Sequence, residues 1–237
     1  MVEQPVIFIT GTSKGIGKYL ADHYCERGFC VVGCSRTPAD KSHKNYLHFC
    51  MDVSDETKVK EIFVEISRTY GRLDILVNNA GMAGAASMNP MILTPLSMIE
   101  KIYQSNVFGT FLCSREAAKL MQKRKWGRIV NFVSAATPLK LEGESAYASS
   151  KAAIASLTEI FAVELAQFGI TVNAIGPTHI RADSTESIQE RKINDLVRRQ
   201  AVQRLGEFRD VSNVLDFFIR PESDFVTGQI LYLGGVS

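Results

Sequence analysis

The run Val6-Ile7-Phe8-Ile9-Thr10-Gly11-Thr12-Ser13-Lys14-Gly15-Ile16-Gly17 leaves the chain few folds to choose from. An apolar stretch short enough for one buried strand opens straight into three glycines. Ile16, Leu20, Ala21 and Tyr24 then follow at helical spacing. Strand, tight turn and helix start therefore stand in series. Such a turn brings backbone N–H groups and the positive end of a helix up to a phosphate. Glycine suits it because it accepts positive φ and puts no Cβ between backbone and ligand. The spacing is G-x-x-x-G-x-G, not G-x-G-x-x-G. Taken alone, it also fits an ordinary β–α turn that binds nothing.

The same alternation continues along the chain. Strands are predicted at 30–34, 47–49, 73–77, 127–133, 169–175 and 228–233. Helices are predicted at 55–69, 96–124, from Tyr147 to about 167, and at 209–219. In the long helix 96–124, Ile102, Phe108 and Leu112 are expected to face the sheet, with Asn106 in the middle. Strands separated by helices on short connections predict a doubly wound, Rossmann-like parallel sheet with helices on both faces. At 237 residues and 46% hydrophobic, the chain is expected to form one domain over 1–237. A polar segment at 179–203, with a helix at 186–200, is the natural candidate for a movable substrate cover.

Composition excludes several function classes. A net charge of +2 gives no push toward nucleic acid. Five cysteines without a C-x-x-C pair, and four scattered histidines, argue against a disulfide framework or a metal centre. With no signal peptide and no long apolar run, the expectation is a cytoplasmic protein with no membrane partner.

Candidate chemistry gathers at the ends of the predicted strands. The second strand ends in Cys34-Ser35-Arg36-Thr37, with no carboxylate before Asp40. An acidic residue there would suit an unphosphorylated ribose. Lys14 and Arg36 instead suit a 2′-phosphate, or else are solvated surface charges. Asp52 either accepts from an adenine amino group or caps the next helix. Asn78-Asn79-Ala80-Gly81 forms a strand-end turn, structural or functional. Ser134 closes the fifth strand, Tyr147 follows, and Lys151 lies one helical turn beyond on the same face. The cluster Lys123, Arg124, Lys125 and Arg128 either complements a helix C-terminus or meets an acidic partner.

Together, Thr10 to Gly17, Asn78 to Gly81, Asn106, Ser134 and Tyr147-x-x-x-Lys151 resemble the short-chain dehydrogenases/reductases, most of all their 3-oxoacyl-[acyl-carrier-protein] reductase type. The resemblance spans essentially the whole chain. It implies a catalytic set of Asn106, Ser134, Tyr147 and Lys151, with Asn106 holding a water that relays protons to Lys151. It also implies an NADP(H) site. Gly11, Ser13, Lys14, Gly15, Ile16 and Gly17 would lie at the pyrophosphate, and Ser35 and Arg36 at the 2′-phosphate. Asp52 and Val53 would flank the adenine, with Asn79, Ala80 and Gly81 along the cofactor. Tyr147, Lys151, Pro177, Thr178 and Ile180 would lie toward the nicotinamide. Two departures concern the pocket. Pro177 is followed by Thr178 where the family has glycine, with Ala182 replacing a frequent threonine, and the C-terminal pattern reads Gly234-Gly235-Val236. The implied reaction is reduction of a 3-oxoacyl thioester, with or without a carrier protein, to its 3-hydroxyacyl form. A small ketone or sugar-like substrate is the alternative, and a non-catalytic cofactor-binding protein the alternative from another class. The implied assembly is a homotetramer or homodimer joined through the two long helices.

Overall fold

The computed structural model describes residues 4–39, 43–82, 89–181 and 190–236. Its strands are β1 (Val6–Thr10), β2 (Cys30–Ser35), β3 (Tyr46–Cys50), β4 (Ile75–Asn78), β5 (Gly127–Phe132), β6 (Ile170–Gly176) and β7 (Ile230–Tyr232). They form one sheet in the order β3-β2-β1-β4-β5-β6-β7, and every pairing is parallel. Parallel neighbours need long crossovers, which here carry helices. The helices are α1 (Gly15–Glu26), α2 (Glu56–Tyr70), α3 (Leu96–Tyr103), α4 (Gly109–Met121), α5 (Ala136–Leu139), α6 (Ser145–Leu165), α7 (Glu190–Arg198) and α8 (Phe208–Ile219).

Side chains alternate along β1, so one strand feeds two cores. Val6 and Phe8 pack with Ile62 of α2, Ala117 of α4 and Phe161 of α6. Ile7 and Ile9 pack on the opposite face with Leu20 and Tyr24 of α1 and Leu215 and Phe218 of α8. Each such side chain contributes about 1.5–3 kcal/mol when fully buried. The chain winds outward through β1, β2 and β3, then returns to place β4 on the other side of β1. The reversal leaves a crevice above the C-terminal ends of β1 and β4, where ligands bind in sheets of this kind.

The predicted helix 96–124 is in fact two helices, α3 and α4, joined by a π-helical stretch at Gln104–Phe108 and followed by a 3-10 turn at Gln122–Arg124. Phe108, expected against the sheet, is 48% exposed, whereas Asn106 is fully buried. The face toward the sheet runs through small and polar residues, among them Gly109, Thr110, Cys113 and Ala117. Such a face carries little hydrophobic signal, which is why the apolar stripe was misphased. The short helix α5 was also unforeseen. β3 is longer than predicted, and β4 starts two residues later. Asp74, just before β4, is spent instead on the Val6 N–H (2.8 Å) and on Arg72. Of the predicted cover, α7 is described; residues 182–189, Ala182 among them, lie outside the described residues, as does Asp40.

Candidate active site

The glycine turn is held from two sides. Gly11 and Thr12 N–H donate to Cys34 O at 2.8 and 3.1 Å, tying the turn to β2. Asn79 Nδ2 donates to Thr10 O (2.9 Å) and Gly11 O (3.2 Å), while Asn79 and Ala80 N–H donate to Thr10 Oγ1. A Cβ on Gly17 would run into the Gly11 carbonyl, and one on Gly11 would come within 2.9 Å of Ala80 Cα. These two glycines let α1 and the Asn79–Ala80 backbone close on the turn. A Cβ on Gly15 would meet nothing within 4 Å, so that side is open.

The open side suits an anion. Lys14 occupies the N-cap of α1 without a capping side-chain bond, and the first turn holds no acidic residue. The first N–H groups of an uncapped helix favour negative charge. Lys14 and Arg36 are exposed and have no side-chain partner among the described residues. Ser13 and Ile16 are half-buried, and Ile16 packs under α1. Ser35 is buried and donates to Thr37 O at 2.6 Å. Asp52 does not cap α2, a task that falls to Asp55, which accepts from Lys58 N–H at 3.1 Å. Asp52 Oδ1 instead accepts from Ser54 N–H (3.0 Å) and Ser54 Oγ (2.8 Å). Val53 is buried and packs where a Cβ on Gly109 would otherwise sit.

On the far side of the crevice, Ser134 lies two residues beyond β5 and its Oγ accepts from Ala136 N–H at 3.1 Å. The Ser134 hydroxyl also acts on the Tyr147 phenol, favouring its ionised form. Burial pushes that phenol up to about 12; the Ser134 hydroxyl opposes the shift, and the charge of Glu144 adds to it. Lys151 is buried on the same face of α6, and its Nζ donates to Phe132 O at 2.7 Å. Desolvation draws its pKa down to about 8. The ammonium stands 5.8 Å from the Tyr147 ring centre, over the ring and not on the phenol oxygen. It can therefore act on the phenol through the field, without a direct bond.

Asn106 comes to the same place by a different route. In the π-helical stretch its Oδ1 accepts from Met82 N–H (2.7 Å), and its Nδ2 donates to Met82 O (3.3 Å) and Ser150 Oγ (3.0 Å). It thus clamps the backbone beyond Gly81 onto α6. A Cβ on Gly81 would lie 2.9 Å from Asn106 Oδ1 and 3.6 Å from Lys151 Nζ. Pro177 O accepts from Ala135 N–H at 3.1 Å. Thr178 lies against Gly206 and Gly234, so the two sequence departures meet each other. Ile180 pairs with Gly206 in an isolated bridge.

Sequence reasoning missed Glu144. This residue precedes α6 by one position, is only 9% exposed, and has an Oε2 with no hydrogen-bond partner. Its place three residues before Tyr147 was the available signal. The basic cluster also needs correction. Arg128 is 1% exposed, stacked over Trp126 and bonded to Pro221 O, so it belongs to the interior. Lys123, Arg124 and Lys125 precede β5, whereas Ser134 follows it. A six-residue strand separates them, about 20 Å at the usual rise per residue.

Comparison with known proteins agrees with this geometry. The model of one family, described as short chain dehydrogenase, matches residues 5–193. The chain is 33% identical to (2S)-[(R)-hydroxy(phenyl)methyl]succinyl-CoA dehydrogenase subunit BbsD of Thauera aromatica, over 99% of this chain and 96% of that one. It is 28% identical to the 3-oxoacyl-[acyl-carrier-protein] reductase FabG of Vibrio cholerae serotype O1, over 99% and 97%. Among solved structures, ElxO with NADP bound superposes with a TM-score of 0.89 at 32% identity, covering 97% of each chain.

Proposed function

The chain belongs to the short-chain dehydrogenase family, and from that premise we propose that it reduces the ketone of a 3-oxoacyl thioester to a secondary alcohol with NADPH. One observation carries the chemistry: the Tyr147 phenol feels the Ser134 hydroxyl, which favours its ionisation, and the buried ammonium of Lys151 stands over its ring. A nicotinamide held along Asn79–Gly81 would supply the hydride, and the substrate oxygen, then negatively charged, would be met by the residues of this chain. Ser134 orients that oxygen by hydrogen bonding, and Tyr147 O–H delivers the proton. Lys151 stabilises the phenolate that remains, since a nearby cation favours the charged form. Asn106 holds Met82 and Ser150, and through them the approach of the Gly81 backbone to α6.

The cofactor reading rests on the open, uncapped start of α1 and on Lys14 and Arg36, whose side chains have no partner among the described residues. Ser35 and Arg36 stand at the end of β2, where an acidic residue would favour NADH. ElxO, a relative by structure, binds NADP. A charge-assisted contact to phosphate is worth about 1.5–3 kcal/mol, so NADPH is expected to bind at least about tenfold more tightly than NADH. Fluorescence titration of the two reduced cofactors measures this directly. Equal affinities would remove the reading.

Support for the thioester comes from the two curated relatives, one named for a CoA ester and the other for a carrier-protein ester. An open pocket of about 600 Å³, lined by Met91, Ile92, Thr137 and Leu141 and by Ala148 and Ala152 on the face of α6 next to the one that carries Tyr147 and Lys151, offers apolar room for an acyl chain. The position of Lys123–Lys125 at the opposite end of β5 from Ser134 removes the argument for carrier docking there and favours the small-thiol ester. The deciding experiment is NADPH oxidation with acetoacetyl-CoA, an acetoacetyl carrier protein, a keto-sugar and a simple ketone. Tyr147→Phe runs alongside and is expected to lower turnover by at least about a hundredfold while keeping the cofactor bound. Inert thioesters beside an active simple ketone would overturn the substrate reading; unchanged turnover in Tyr147→Phe would overturn the mechanism.

A further inference from the structure

Beneath the loop that follows β2, a chain of hydrogen bonds runs from the glycine turn to the backbone around Arg36. Tyr46 O–H donates to Thr12 Oγ1 at 2.8 Å, and His48 Nδ1 lies 2.9 Å from the same phenol oxygen. His48 Nε2 lies 3.1 Å from Ser35 Oγ and 3.3 Å from Thr37 O. Ser35 Oγ donates to Thr37 O, and Cys50 Sγ donates to Arg36 O at 3.2 Å. Gly33 makes room for this arrangement. A Cβ there would run into the Tyr46 phenol and come within 2.6 Å of Thr12 Oγ1.

The protons in this chain are already committed. Tyr46 gives its proton to Thr12, and Ser35 gives its own to the Thr37 carbonyl. Both ring nitrogens of His48 therefore face oxygens that offer lone pairs. An imidazolium, with a donor at each end, serves both sides at once, whereas either neutral tautomer donates at one end alone. The loop above it presents an exposed Arg36 whose guanidinium has no partner among the described residues.

Building on the NADPH reading above, we propose that His48 is a positioning residue for the 2′-phosphate of the cofactor: its imidazolium fixes the Ser35–Thr37 loop in the shape that presents Arg36 and adds positive charge beneath the phosphate. Phosphate binding and His48 protonation then favour each other. The titratable and charged groups around it are Tyr46 on its own strand, Cys34 on β2, Cys50 at the end of β3 and Arg36 in the loop. Asp22 on α1 also acts on Tyr46 through its charge. Asp40 and Lys41 lie outside the described residues. Burial pushes both Tyr46 and Cys34 up to about 12, so neither changes charge near neutrality. Histidine is the side chain built to do so.

The test is calorimetric binding of adenosine 2′,5′-bisphosphate and adenosine 5′-monophosphate to the wild-type protein, His48→Ala, His48→Gln and Tyr46→Phe. The wild type is expected to prefer the bisphosphate by at least about tenfold. That preference should fall several-fold from about pH 6.5 to 8.5 as histidine loses its proton. In His48→Ala the preference should shrink to within about threefold and lose its pH dependence, with monophosphate affinity unchanged. His48→Gln, which keeps one donor, should fall between the two, and Tyr46→Phe should weaken the bisphosphate alone. If His48→Ala does not give a cooperative melt, His48→Gln and Tyr46→Phe decide. Preference and pH dependence that survive these replacements overturn the role of His48 and leave the NADPH reading intact. A wild-type protein with no preference overturns both.

Discussion

Lys151 has one carbonyl and no carboxylate partner among the described residues, and its lowered pKa follows from burial alone. A pKa lowered to about 8 leaves the cation in place below that pH and removes it above. The folded state then holds fewer protons than the unfolded chain between about 8 and 10.4, so this group's contribution to stability rises with pH across that window. Catalysis runs the other way. We expect kcat/KM for reduction to decline above pH 8, and Lys151→Met to lower it by at least about a hundredfold and abolish that limb. A pH–rate profile of both proteins measures this. Glu144 bears on the phenol instead. Its charge holds Tyr147 up, so Glu144→Gln should move phenol ionisation to lower pH and speed alcohol oxidation at a fixed pH below it. An unmoved profile would mean that Glu144 has no electrical contact with Tyr147. Ser134, Tyr147 and Lys151 were legible in the sequence because the chemistry restricts residue type and their spacing follows the helix. Glu144 was not, because a buried carboxyl without a partner reads in sequence as a surface acid.

At the scale of elements, the π-helical stretch Gln104–Phe108 is what aims Asn106 at Met82 and Ser150. Stretches of this kind carry one residue more than the α-helix needs and recur at functional sites. Deleting Ser105 should convert the join to plain α-helix, which takes one residue fewer over the same turn, so α3 and α4 keep their relation while Asn106 is re-aimed. Helix content by circular dichroism should hold while turnover falls at least about tenfold, since small misplacements near the chemistry are costly. Turnover at the wild-type level would show that the extra residue is incidental. The sequence revealed the strands and their order of appearance well, because buried parallel strands read as continuous apolar runs. The break between α3 and α4 was not legible, since propensity favours helix on both sides of it. Nor was α5, a single turn that Ser134 caps from outside.

At the scale of the molecule, Phe108, Phe111, Ile160 and Val163 remain 48%, 40%, 49% and 80% exposed on α4, α6 and the join that precedes α4. Met121 and Phe161, on the same two helices, are core residues. Water-facing apolar residues on adjacent helices support the proposal that two copies pair through this face, and light scattering should give a multiple of 26.2 kDa. Ile160→Asp with Val163→Asp should return the particle to that single mass; a wild-type particle of 26.2 kDa would dismiss the pairing. The strand order also sets a timetable for the nascent chain. Ile7 pairs with Val31 on one side but with Ile75 on the other. During synthesis β1, destined for the middle of the sheet, is therefore an open edge until β4 has left the ribosome. Such edges recruit other chains, and parallel pairing over long separations forms slowly. A ribosome-stalled series should show protease resistance arising only in chains long enough to expose residue 78, the end of β4. Until then the polypeptide is a client for whatever shields nascent strands.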